Sequence, residues 1–194
     1  MALYFIRHGQ TYNNLEWRMN SWDDDDVLTH IGVQQAEQEA RNIQETWLRF
    51  DIIISSHLIR AVKTAEIIAN IIGFRWILLQ DARLREQDGG IFKGRKQEDI
   101  KKDFWVVDNT QFRKIFKDKQ YNKVEDIYDF EMRVQEVYNK IIFRYPDKHV
   151  LFVGHSWTYR CLIKIIHHLD AEYVYFQMPW IPNCQIVNLR RENK

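Results

Sequence analysis

The chain has 194 residues, with 28 Lys and Arg against 27 Asp and Glu, so it lacks the strongly basic balance of a dedicated nucleic-acid binder. With 45 % hydrophobic and 28 % charged residues it has the composition of an ordered globular chain, and its two cysteines, Cys161 and Cys184, make no disulfide framework. No apolar run approaches the ~20 residues of a membrane span, and the first residues lack the basic segment and long apolar stretch of a signal peptide. The expectation is a cytoplasmic protein, 1–194, built as one domain.

Short apolar runs at 3–6, 52–54, 76–79, 150–153 and 186–189 each read as a strand buried on both faces. Helical stripes alternate with them. Ala36, Ala40, Ile43 and Trp47 form one; Ala61, Ala65, Ile68 and Ile72 a second; Ile127, Phe130, Val134, Val137 and Ile141 a third. Strands alternating with helices of this length predict a three-layer α/β/α sandwich with a mostly parallel sheet. The stretch 88–124 breaks the rhythm. Ten Lys and Arg and five acids lie between Lys93 and Lys123, interleaved with Phe104, Trp105, Phe112 and Phe116, which predicts a helical insertion capping one edge of the sheet. Its bland reading is a charged helical face with aromatics turned inward; the sharper one is a lid facing substrate. The acids at 23–26 read as a solvated loop ahead of a helix that Thr29 caps, without the alternating oxygen spacing of a calcium loop.

Ligands of open α/β sheets bind beyond the carboxyl ends of the strands, so the residues following each run carry the chemistry. They are Arg7-His8-Gly9-Gln10-Thr11, then Ser55-Ser56-His57-Leu58-Ile59-Arg60, where a serine can cap the next helix, then Leu84-Arg85-Glu86, then Gly154-His155-Ser156. Two imidazoles, two guanidiniums and one carboxylate thus converge on one rim. A lone histidine is usually a hydrogen-bonded core or surface group, and His30, His57, His149, His167 and His168 are read that way. Metal binding at His8 and His155 is disfavoured because Arg7 and Arg60 repel a divalent cation and attract an anion. A phosphoryl group suits the rim: its charge meets Arg7, Arg60, one histidine donor and the amides of the helices after Ser55 and His155. One imidazole, held neutral by its cationic neighbours and oriented by a backbone carbonyl on its other nitrogen, can attack phosphorus. An alkoxide leaves poorly, so a proton donor is needed. Glu86 is the acid in place, its pKa raised by burial.

These residues resemble the histidine phosphatase superfamily, which includes cofactor-dependent phosphoglycerate mutases and many small phosphatases. The likeness runs, in order, through Arg7-His8-Gly9-Gln10-Thr11 with Asn14, Leu28-Thr29 with Gly32 and Gln35-Ala36, Ser55-Ser56 with Leu58, Arg60-Ala61 and Thr64-Ala65, Leu84-Arg85-Glu86 with Gly90 and Gly94, and Val153-Gly154-His155. The segment from Leu84 to Gly89, Asp126-Ile127-Tyr128-Asp129 and Pro182-Asn183-Cys184 look most like small phosphoglycerate-mutase-like proteins. The resemblance implies that His8 becomes phosphohistidine, that Arg7, Arg60 and His155 hold the phosphoryl oxygens with support from Asn14, and that Glu86 protonates the leaving group and then activates water. It implies a small phosphorylated substrate and no metal or organic cofactor. His57 stands where the family usually has proline, Lys93 where an acid is common, and Ser156-Trp157 where a small pair follows the second histidine. Mutases of the family carry an aromatic three residues after the acid, where Gly89 stands here, and an arginine pair for the glycerate carboxylate. The only adjacent arginines here are Arg190-Arg191 in the tail. The departures favour a phosphatase over a mutase; a non-catalytic phospho-ligand module is the third reading.

Overall fold

The structure, a computed structural model, describes residues 1–22, 26–104 and 123–190. Its strands are β1 (Ala2–Arg7), β2 (Ile52–Ser55), β3 (Ile77–Gln80), β4 (His149–Gly154) and β5 (Ile186–Asn188). Among the described residues they form one sheet in the order β3-β2-β4-β1-β5, with the first four parallel and β5 antiparallel to β1. The α-helices among the described residues are α1 (Tyr12–Leu15), α2 (His30–Glu45), α3 (Ile59–Ile71), α4 (Gln97–Asp103), α5 (Ile127–Arg144) and α6 (Ser156–His167).

Alternation along the strands sorts the side chains into two cores. Ile6, Ile53, Leu151 and Val153 pack with Ala40 and Ile43 of α2 and Ala61, Ala65 and Ile68 of α3. Leu3, Phe5, Ile54 and Phe152 pack on the other face with Phe130, Val134, Val137 and Ile141 of α5 and Leu162 of α6. Each fully buried aliphatic or Phe contributes about 1.5–3 kcal/mol, so the two faces dominate stability. The layering is the α/β/α arrangement the periodicity predicts.

Four sequence expectations need correction. β3 and β5 are not buried on both faces: they are the sheet edges, β3 is largely exposed and β5 half-buried. Trp47 is no part of the α2 stripe. The helix ends at Glu45 with Thr46 as its cap, and Trp47 follows at φ 58°, 77 % exposed. No serine caps α3, whose N-cap is Leu58; Ser56 Oγ instead accepts from Leu58 N at 3.3 Å. Thr29 does cap α2, accepting from Gly32 N at 3.0 Å.

The described part of the stretch 88–124 holds a 3₁₀ turn (Gly90–Phe92) and α4. Phe92 and Ile100 are buried with Met19, Phe104 and Val124, so Phe104 turns inward. Trp105, Phe112 and Phe116 lie outside the described residues, as do Asp23, Asp24, Asp25 and Arg191. Asp26 is described, and its Oδ1 accepts from Asn13 N at 3.2 Å. No helix among the described residues is long and apolar enough to cross a membrane.

Candidate active site

β1 and β4 are neighbours in the middle of the sheet, yet the chain leaves them toward opposite faces, β1 toward α2 and β4 into α6. A crevice opens at such a switch point. The register pairs Arg7 with Gly154, and His8 N donates to Gly154 O at 2.9 Å, which brings His8 and His155 side by side. Their ring centroids are 5.2 Å apart.

The turn after β1 is held by main-chain contacts that only glycine permits. A Cβ on Gly9 would lie 2.4 Å from Gly32 O, and one on Gly32 would lie 2.1 Å from Gln10 O. Gly9 N donates to Thr64 Oγ1 at 3.1 Å, and Thr64 Oγ1 donates to Arg60 O at 2.8 Å, linking this turn to α3. From the tail, Asn183 Nδ2 donates to His8 O at 2.7 Å and Arg7 Nη1 donates to Ile181 O at 3.1 Å. Asn14 Oδ1 accepts from Thr11 N at 3.3 Å and Asn183 Nδ2 at 3.4 Å.

His8 Nδ1 lies 2.8 Å from Gly9 O. A carbonyl only accepts, so Nδ1 carries the proton and Nε2 keeps its lone pair. Burial, reinforced by Arg60 and then Arg7, holds the His8 pKa well below the ordinary imidazole value. The same causes, burial first and then Arg60, depress His155. Both rings are therefore neutral at pH 7. The cationic neighbours expected to neutralise His8 contribute, but desolvation contributes more.

Glu86 follows a 3₁₀ turn (Ala82–Leu84) that Asp81 caps by accepting from Arg83 N at 3.0 Å. Its carboxyl is buried, which raises its pKa against the opposing pull of Arg60 and Arg7. Glu86 Oε1 accepts from Gln87 N and from Trp157 N, each at 3.2 Å. The Trp157 amide, in the first turn of α6, was expected to face an anion; it holds the carboxyl instead.

A cavity of about 90 Å³ is lined by Arg7, His8, Asn14 and Glu86, with Trp157 and Trp180 among its other walls. Arg60 and His155 are not in that lining. Both are 0 % exposed, His155 beside the lining residue His8 and Arg60 donating through Nη2 to Ser21 O at 2.9 Å. The buried Arg7 Nε, both ring nitrogens of His155 and Ser156 Oγ have no protein partner. Polar atoms left so cost free energy unless a ligand engages them. No three His, Cys, Asp or Glu side chains among the described residues converge to hold a metal ion. Of the histidines read as surface or capping groups, His167 Nε2 lies 2.8 Å from Leu189 O and His168 caps α6. Cys161 and Cys184 are buried free thiols.

Sequence reasoning passed over Arg133, which reaches the Glu86 segment from α5, and Asn183 as a support of His8. Arg133 lies between two positions of the apolar stripe, Phe130 and Val134; a charged residue flanked by core positions was the available signal.

The histidine phosphatase superfamily (branch 1) profile matches residues 3–194. "Probable phosphoglycerate mutase GpmB" of Proteus mirabilis is 30 % identical over 176 residues, covering 88 % of this chain and 77 % of that protein. The 2,3-bisphosphoglycerate-dependent phosphoglycerate mutase of Sinorhizobium fredii is 28 % identical, covering 89 % and 82 %. Among solved structures, Bacillus stearothermophilus YhfR superposes with a TM-score of 0.80 at 26 % identity, covering 95 % of this chain and 88 % of that one. A mycobacterial glucosyl-3-phosphoglycerate phosphatase shares the fold with a TM-score of 0.80 at 23 % identity, over 95 % and 88 %. The chain belongs to the histidine phosphatase superfamily.

Proposed function

We propose that the chain is a phosphomonoesterase working through a phosphohistidine on His8. The observation that carries this reading is His155: a fully buried imidazole with no protein partner on either nitrogen, set against a second imidazole whose tautomer is fixed. A phosphoryl oxygen accepting from His155 and Arg7, with Arg60 nearby, satisfies these donors and neutralises the anion. His8 Nε2 attacks phosphorus; the P–N bond forms as the P–O bond to the alcohol breaks. The protonated Glu86 gives its proton to the departing oxygen. Glu86, now a carboxylate, takes a proton from water as that water's oxygen bonds phosphorus and the P–N bond breaks. Phosphate leaves, and His8 and Glu86 return to their starting states.

Hydrolysis is favoured over mutase transfer by the far wall. Among its described residues the cation there besides Arg7 is Arg18, already bonded to Glu16 at 2.6 Å and to Gly94 O at 2.8 Å. Arg190 contacts Met1 Sδ at 3.7 Å. Neither is an arginine pair gripping a carboxylate.

His8→Ala abolishes hydrolysis of p-nitrophenyl phosphate in this reading, and a chelator leaves wild-type turnover intact. With a phosphoglycerate, released phosphate exceeds the isomeric product. Dominant isomer formation would favour the mutase, and ligand binding without turnover across a broad panel would favour a binding module.

A further inference from the structure

Arg133 is a buried guanidinium that touches neither His8 nor the cavity, yet its donors are spent around the one carboxyl the reaction needs. Its Nε and Nη2 grip the two oxygens of Glu125, each at 2.7 Å, in a bidentate fork. Nη1 donates to Arg83 O at 2.5 Å and to Arg85 O at 2.8 Å, and Nη2 donates to Glu86 O at 3.0 Å. Glu125 completes the strap. Its Oε2 accepts from Asp88 N at 3.2 Å, its amide donates to Asp88 O at 3.0 Å, and its carbonyl accepts from Gln87 Nε2 at 2.9 Å. From α6, Thr158 Oγ1 donates to Leu84 O at 3.1 Å.

The main chain from Arg83 to Asp88 is thus held at nearly every peptide by one ion pair and its neighbours. Among the described residues the Glu86 carboxyl itself has two bonds, each of 3.2 Å and one of them to the adjacent amide. Its direction therefore follows from where the backbone carries it. A displacement of about 1 Å in a catalytic group can cost ~10²-fold in rate.

We propose that Arg133, locked by Glu125, is a positioning residue for the proton donor: it fixes the backbone at Glu86 so that the carboxylic acid meets the leaving oxygen. The proposal rests on the reading of Glu86 as that donor. It gives Arg133 a signature that ordinary structural support lacks. Proton donation matters most for a poor leaving group and least for a good one, so the loss on altering Arg133 must grow as the leaving group worsens.

The experiment measures the single-turnover rate of phosphoenzyme formation, the step in which the leaving group departs, from p-nitrophenyl, phenyl and simple alkyl phosphates by wild type, Arg133→Met, Arg133→Lys, Glu86→Gln and Arg133→Met/Glu86→Gln. Arg133→Met should lose about 10²-fold on alkyl phosphates and less than about 3-fold on p-nitrophenyl phosphate. Arg133→Lys should fall between, because an ammonium keeps the charge without the fork. The double variant should be no slower than Glu86→Gln alone. If Arg133→Met does not fold, Glu125→Gln, which keeps the donors to the three carbonyls, should show the same trend more weakly. Equal losses across leaving groups in the Arg133 and Glu125 variants, or additive losses in the double variant, overturn the positioning role. A Glu86→Gln loss independent of the leaving group overturns the donor reading instead.

Discussion

The two segments that bring His8 and Glu86 to the rim are held by different physics. The turn after β1 is fixed by the interlock of Gly9 and Gly32, where main chains approach too closely for any Cβ. The segment after β3 is fixed by side chains that arrive from 37 or more residues downstream, Glu125 and Arg133. A nucleophile held by backbone shape has little freedom to drift. A proton donor hung from an ion pair depends on both members and on their burial. Both arrangements are tertiary, but the nucleophile is positioned chiefly by main-chain packing and the donor chiefly by a side-chain ion pair.

The donor side breaks most visibly. Glu86→Gln should lower turnover of alkyl phosphates by about 10²–10⁴-fold while leaving phosphoenzyme formation from p-nitrophenyl phosphate nearly intact; transient kinetics with the two substrates checks this. On the other side, Gly32→Ala forces a methyl into Gln10 O. It should cost about 3 kcal/mol in a denaturant titration, at the upper end for overpacking, and slow phosphorylation of His8 for every substrate alike. A loss that depended on the leaving group would contradict the division of labour.

The electrostatics of the two sides oppose each other with pH. His8 and His155 are depressed in the folded state, so the unfolded chain binds more protons as pH falls through about 6.5, and stability drops there. Glu86 is raised in the folded state, so its contribution is present at low pH and is lost as pH rises through its folded value. Thermal melts between pH 5 and 8 should show the histidine loss toward acid. His155→Gln should flatten it; an unchanged slope would contradict the neutral buried imidazole. The smallest effect lies outside both segments. Trp47, exposed at φ 58° beyond α2, should tolerate glycine with a change between zero and about 1 kcal/mol of stabilisation, read by the same melts.

Much of this was legible in the sequence because it is local. The five strands, the α2, α3 and α5 stripes and the residues just past each strand are short-range patterns, and Thr29 capping α2 is a three-residue event. The edge character of β3 and β5 was not legible. Strand order is a property of the whole sheet, and Ile77 and Leu78 look the same in sequence whether a neighbour covers them or not. Trp47 fitted a spacing of four, but the helix had already ended. Nor could sequence show that the Trp157 amide serves Glu86, or that Arg60 and His155 are buried outside the cavity lining; both depend on contacts between distant segments. Arg133 was hidden for a related reason: a charge beside an apolar stripe reads as solvated until its partners at 83, 85, 86 and 125 are seen together.

The central claim is that the neutral His8 Nε2 takes the phosphoryl group. Rapid-quench labelling with a ³²P-phosphomonoester, followed by peptide mapping, tests it most directly. The account predicts a transient, acid-labile, alkali-stable label on His8 that forms no slower than turnover and is missing from His8→Ala. Turnover with no label on His8 at any quench time would contradict it.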